Sequence, residues 1–187
     1  MKEKNTNVQR KSAMKWLLVS FLLVIMIRAL FFSNYVVEGH SMNPTLEEGN
    51  FLMVNKMVYA FSVPERFDVV VFHQDNTEED YVKRVIGLPG DKIEYKRDML
   101  YVNDKLVLEP FISSDNLRIL GGNFTGDFTL EELTGVEKVP KGHVFVIGDN
   151  RLGSRDSRHF GFIKIEDIVG KVHIRYWPAD EFGTTFK

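Results

Sequence analysis

The sequence contains no cysteine, which excludes a disulfide framework, a thiol nucleophile and any cysteine-ligated zinc or iron–sulfur centre. It also lacks a charge of dominant sign. Lys and Arg number 24 against 26 Asp and Glu, so no global field draws the chain to a polyanion, and nucleic acid is not an expected partner. The histidines His40, His73, His143, His159 and His173 have no tight ligand spacing, and no glycine-rich phosphate loop occurs. Neither a metal nor a cofactor is therefore expected. Internal repeats and low-complexity tracts are missing as well. Whatever chemistry remains uses oxygen and nitrogen, on a chain of globular composition, 44% hydrophobic and 27% charged.

Long apolar runs are scarce, with one exception. Lys2, Lys4, Arg10, Lys11 and Lys15, against the single acid Glu3, precede a predominantly apolar stretch from Trp16 to Phe32. As a helix that stretch spans about 25 Å, close to the thickness of a hydrocarbon layer, and Trp16 and Tyr35 stand where interfacial aromatics belong. Arg28 lies near the far end and can snorkel to the headgroups. The competing readings are a cleaved secretory signal and a buried core helix. A cleaved signal wants small residues after its core, whereas Phe31, Phe32, Asn34 and Tyr35 follow here. The favoured reading is a retained single span in the cell membrane. It has a cytoplasmic basic N-terminus (1–15), an anchor (16–32) and an extracytoplasmic remainder.

Beyond the anchor, short segments of Val, Ile, Phe and Tyr are cut by Pro, Gly, Asn and Asp, which predicts a mainly β fold. Strands are expected at Tyr35–Glu38, Asn50–Lys56, Asp68–His73, Asp80–Ile86, Lys92–Lys96, Leu100–Val102, His143–Gly148 and Gly170–Trp177, with turns at Leu88–Asp91 and Val102–Asp104. One helix is expected at Leu130–Thr134, where Thr129 and Glu132 have capping-box spacing, and no other is needed. Residues 113–142 have the look of an insertion. The expected organisation is a catalytic β domain (33–96 and 140–187) interrupted by a small subdomain (97–139).

Four segments carry candidate chemistry: Gly39–Leu46, Asp68–Phe72, Tyr81–Asp91 and Gly148–Phe162. Ser41 alone is an ordinary turn residue. Lys83 is less ordinary, because it lies within a run of β-branched residues and shares a strand face with Tyr81 and Val85. It is either an exposed lysine on a solvated face or a desolvated amine of lowered pKa, able to take a proton from a hydroxyl. Arg84 points to the opposite face and is expected to pair with a carboxylate. Asp156 and Arg158 are placed to form an ion pair, which leaves Ser154 and Ser157 on a fixed loop. A triad of Ser41, a histidine and Asp149 or Asp156 stays formally open.

Taken in order, Ser41–Thr45, Phe67–Phe72, Tyr81–Asp91 and Gly148–Ile163 resemble the four signature segments of the bacterial type I signal peptidases. These are membrane-anchored serine proteases with a Ser-Lys dyad. The single span and short insertion resemble the compact Gram-positive kind. The resemblance implies twisted antiparallel sheets and Ser41 as nucleophile, with its backbone N–H as an oxyanion donor. It implies Lys83 as general base, Ser154 as the residue that orients the lysine, and Asp156 and Arg158 as a structural pair. Some relatives carry a serine donor two residues before the nucleophile, where this chain has Gly39. The resemblance further implies extended substrates with small residues at positions -1 and -3, held in shallow pockets at Tyr35, Val37, Met42, Leu46, Tyr81 and Val82. The implied partners are signal peptides of exported preproteins, membrane lipid and the secretion translocon, and by composition alone Phe31, Phe32, Phe61 and Val63 are the candidates for the lipid contact. A tethered, non-catalytic peptide-binding β domain is the main alternative. A self-cleaving serine–lysine regulator is the other, and it wants a DNA-reading helix pair that the N-terminal span replaces.

Overall fold

The basic flank and the apolar run fold as one continuous helix, α1 (Lys2–Phe31), in a computed structural model. The structure describes residues 2–74, 79–112, 124–184 and 186, with side chains from residue 14 onward. The segment Met14–Phe31 has a mean hydropathy of 2.1 and none of it is buried, so it is not a core helix of the β domain. The helix stops at Phe31. Phe32, assigned to the span on sequence, instead opens strand β1 (Phe32–Val36), because the Lys56 N–H captures the Phe31 carbonyl at 2.9 Å and Phe32 pairs with Asn55.

After β1 the chain forms β2 (Phe51–Asn55), a one-turn helix α2 (Val58–Phe61), β3 (Val69–His73) and β4 (Asp80–Gly87). A second group follows: β5 (Ile93–Lys96), β6 (Met99–Val102), β7 (Lys105–Val107), β8 (Phe128–Thr129) and α3 (Leu130–Thr134). The chain then returns through β9 (His143–Ile147), α4 (Ser157–Phe160), β10 (Ile163–Lys164) and β11 (Ile168–Trp177). A seven-stranded sheet, ordered β1-β2-β11-β3-β4-β9-β10, and a four-stranded one, β7-β6-β5-β8, result, and their strand pairings are antiparallel.

The eight anticipated strands form, their ends displaced by a few residues. Three short ones, β7, β8 and β10, were not anticipated, since segments this short carry no period and exist by pairing with a neighbour. The α3 helix has the full reciprocal cap between Thr129 and Glu132 and ends at Gly135 with φ 75°. The expectation that no other helix is needed fails at α2 and α4. At α4 the Asp156 carboxylate caps the Arg158 N–H, a role the sequence reading had not given it.

The second sheet starts at Ile93, ahead of the expected subdomain boundary, and residue 97 falls inside the tight β5–β6 turn, where Arg97 and Asp98 have φ of 50° and 60°. Ile86, Phe145 and Ile147 of the large sheet share one buried cluster with Ile93, Tyr95, Leu100, Leu130 and Val139, so the small sheet is joined to the main core. Residues 113–123 of the expected insertion lie outside the described residues. A second cluster, including Val37, Met42, Leu46, Leu52, Val54 and Val71, underlies β1, β2 and the turn that carries Ser41. A third, with Val70, Phe72, Val85 and Val146, fills the Lys83 side of β3 and β4.

Candidate active site

The turn after β1 is shaped by residues that have no solvent-facing alternative. Met42 and Leu46 are 1% and 0% exposed and anchor the turn in the core. The Leu46 N–H donates to the Met42 carbonyl at 3.0 Å, and Ser41 is left at the surface. Gly148, Asp149 and Asn150, at the end of β9, dock beneath it. The Asn150 N–H donates to the Ser41 carbonyl at 3.1 Å, the Asn150 side-chain amide donates to the His40 carbonyl at 3.0 Å, and the Thr45 hydroxyl donates to Asp149 at 2.5 Å. Position 148 must be glycine, since a Cβ there would lie 2.4 Å from the Ser41 carbonyl oxygen and 2.2 Å from Ser154 Oγ.

Lys83 enters from β4. Its Nζ donates to Ser41 Oγ at 2.7 Å and to the Val82 carbonyl at 2.9 Å, and it stands 5.6 Å from the centroid of the Tyr81 ring. The residue is 2% exposed. Burial strips water from the ammonium and lowers its pKa from 10.5 to about 8, outweighing the upward pull of the Asp156 and Asp149 charges. Among the described residues no carboxylate makes an ion pair with it.

Arg84, the next residue, faces the other way and forms a two-pronged pair with Asp149, Nε to Oδ1 at 2.8 Å and Nη2 to Oδ2 at 2.6 Å. Both side chains are fully buried, and the guanidinium lies 3.8 Å from the centroid of the Phe111 ring. Asp149 is thereby committed to Arg84 and Thr45 rather than to a histidine. Among the described residues no histidine hydrogen-bonds to Ser41 or Lys83. His40 sits 3.4 Å from Glu48, His73 3.2 Å from Asp80 and His159 3.9 Å from Asp156.

Asp156 and Arg158 form a second two-pronged pair, 2.8 Å on each arm. Burial alone would raise the Asp156 pKa, but Arg158 and the Gly148 N–H, which donates at 3.0 Å, hold the carboxyl below its usual value. The Ser157 hydroxyl accepts from the Val146 N–H at 3.0 Å. Ser154 Oγ is buried without a hydrogen-bond partner in good geometry among the described residues. It lies near enough to Asp156 to help lower that carboxyl. Lys83 makes no hydrogen bond to it.

Ser41 and Lys83 open into a groove of about 510 Å³ whose apolar walls are Tyr35, Val37, Leu52, Val71, Tyr81 and Val82. Met42 and Leu46, expected in the pockets, do not line it. Their apolar character serves the core beneath the turn. At the end of the groove away from Ser41, the Tyr35 hydroxyl donates to Asp80 at 2.8 Å, with the phenol pushed up to about 12 by burial and by that carboxylate. The Ser41 N–H has no backbone acceptor among the described residues, and Gly39, at φ 77°, has open space where a Cβ would stand. Sequence reasoning missed Asn150 and Thr45, the two side chains that fasten the serine turn. Their positions inside the Gly148–Asn150 and Ser41–Thr45 motifs were the available signal.

The family described as "Signal peptidase, peptidase S26" matches residues 10–177. The chain is 56% identical to "Signal peptidase I" of Bacillus caldolyticus over 182 residues, 97% of this chain and 100% of that one. It is 51% identical to "Signal peptidase I V" of Bacillus subtilis over 154 residues, covering 82% and 91% of the two chains. Among solved structures, a signal peptidase I from Enterococcus faecalis superposes with a TM-score of 0.55 at 42% identity, covering 59% of this chain and 99% of that one.

Proposed function

The chain belongs to the signal peptidase family, peptidase S26, and on that premise we propose that Ser41 is its nucleophile and Lys83 its general base. The protein is a serine endopeptidase that removes signal peptides from exported preproteins. The observation that carries the assignment of the dyad is the 2.7 Å bond between Lys83 Nζ and Ser41 Oγ at the floor of the groove.

The neutral amine of Lys83 takes the Ser41 proton as Oγ attacks the carbonyl of the residue before the cut. The Ser41 N–H, without a backbone acceptor, is free to donate to the oxyanion. The mature chain leaves with a proton from Lys83, and the lysine then activates water to hydrolyse the acyl-enzyme. The Val82 carbonyl fixes the direction of the amine, and Asp156 and Arg158 hold the loop behind it. Small -1 and -3 side chains lie against Tyr35, Val37, Tyr81 and Val82, whose bulk excludes larger ones.

The helix α1 is the membrane anchor, with its basic end in the cytoplasm and the β domain outside. Phe61 and Val63, 84% and 74% exposed, lie just past the Asn55 end of β2, which pairs with Phe32, and are the lipid contacts at the surface. Signal peptides reach the groove as the translocon releases them. Nothing observed favours the non-catalytic peptide-binding alternative.

The test is digestion of a purified preprotein in detergent by wild type, Ser41→Ala, Lys83→Ala and His159→Ala, with the new N-terminus read by mass spectrometry. Inactive Ser41 and Lys83 variants, an active His159 variant and a cut after a small-x-small sequence are expected. Cleavage by Lys83→Ala would overturn the dyad.

A further inference from the structure

The groove is electrically lopsided. Its acidic lining residues are Glu38, Glu79 and Asp80, the last bonded to Tyr35, and Gly153 and Arg155 line it where it meets a neighbouring hollow. Burial alternates from residue 154 to 156: Ser154 and Asp156 are inside and Arg155 is exposed, the pattern of an extended chain that turns its middle side chain outward. The neighbouring arginines are neutralised, Arg151 by Glu109 at 2.5 Å and Arg158 by Asp156 at 2.8 Å. Among the described residues neither an ion pair nor a hydrogen bond reaches the Arg155 guanidinium. At Gly153 and Arg155 the groove runs into a second hollow of about 570 Å³, bordered also by Thr125, Leu152 and His159, and among the described residues no acidic one lines it.

We infer that Arg155 is a specificity-determining residue that receives an acidic side chain from the first residues of the mature protein. The inference rests on the reading above. With the -1 and -3 side chains lying toward Tyr35 and Tyr81, the chain beyond the cut leaves past Ser41 on the Arg155 side. A planar guanidinium with no internal carboxylate partner presents its whole donor fork to an incoming carboxylate. An acid on the other side of the cut meets Asp80 instead, so the two ends of the groove sort charge in opposite senses.

The experiment uses the full-length enzyme in detergent. It takes preproteins identical except for Glu, Gln or Lys at each of the first four positions after the cut in turn, digested in competition so that ratios of kcat/KM are read directly. At the responsive position wild type is expected to cleave the Glu form about fivefold faster than the Lys form, in keeping with a partly exposed ion pair. Arg155→Gln brings that ratio near one, Arg155→Glu inverts it, Arg155→Lys retains part of it, and added salt shrinks it. An unchanged ranking in the Gln and Glu variants overturns the inference. Failure of the underlying reading is distinct: there, Ser41→Ala still cleaves, or wild type cleaves none of the forms.

Discussion

Lys83 and Arg84 are neighbours on β4, both are buried cations, and their environments differ completely. Arg84 faces a carboxylate whose two oxygens match its own fork, and the two form a closed pair. Lys83 faces a hydroxyl and a carbonyl, with no carboxylate in contact among the described residues, and its pKa drops to about 8. Burial is common to both, so it is the partner that decides whether a buried cation becomes a structural rivet or a base. The alternation of a strand lets one sequence step deliver both, one to each face.

The comparison breaks most visibly on the Arg84 side. Arg84→Ala strands the Asp149 carboxylate in a dry site, and a loss of about 3–5 kcal/mol in stability is expected, measured by urea unfolding in detergent. On the Lys83 side the corresponding experiment is a pH profile. The amine is active when neutral, so kcat/KM should climb about fiftyfold from pH 6 to 8 and level off above the pKa of about 8. A flat profile would mean that the proton acceptor titrates elsewhere. Gly148→Ala tests the seam between the two regions. Its methyl group would push on the Ser41 carbonyl oxygen, and a fall of about tenfold to a hundredfold in kcat is expected while the Arg84 pair stays intact.

The smallest effect sharpens the contrast. The folded-state pKa of Lys83 lies below the value of 10.5 it has when unfolded, so the unfolded chain binds more protons between about pH 8 and 10.5. Stability therefore rises with pH across that window, and the burden of burying the amine is fully present below it. Lys83→Met should remove the burden, raising stability by about 1–3 kcal/mol at pH 7 and flattening the rise, while abolishing cleavage. No comparable gain is expected from replacing Arg84 alone.

Much of this arrangement was legible in the sequence because the chemistry-bearing residues sit in contiguous motifs with local geometry of their own. Lys83 within a run of β-branched residues admitted two readings, a solvated face or a desolvated amine, while Thr129 with Glu132 announced the cap of α3. Features that depend on docking were not legible. Asn150 matters only once the end of β9 lies beneath the serine turn, and β8 exists only because β5 lies beside it. Met42 and Leu46 show the limit of residue type, since an apolar side chain suits a substrate pocket and a core equally. Only the direction of the turn sends both inward. Asp156 was legible as an ion-pair partner, but its second task, capping α4, depends on where that short helix begins.

The helix α1 passes into β1 without a linker, Phe31 in one and Phe32 in the other. With the helix in a bilayer, the lipid surface becomes the zero mark of a ruler whose divisions are residues. From Phe32 to Ser41 even a fully extended chain reaches no farther than about 30 Å. A nucleophile so placed would keep a stand-off from that surface set by covalent length rather than by tethered diffusion. In that arrangement the same covalent length bounds how far from the lipid surface a cleavage site can be cut.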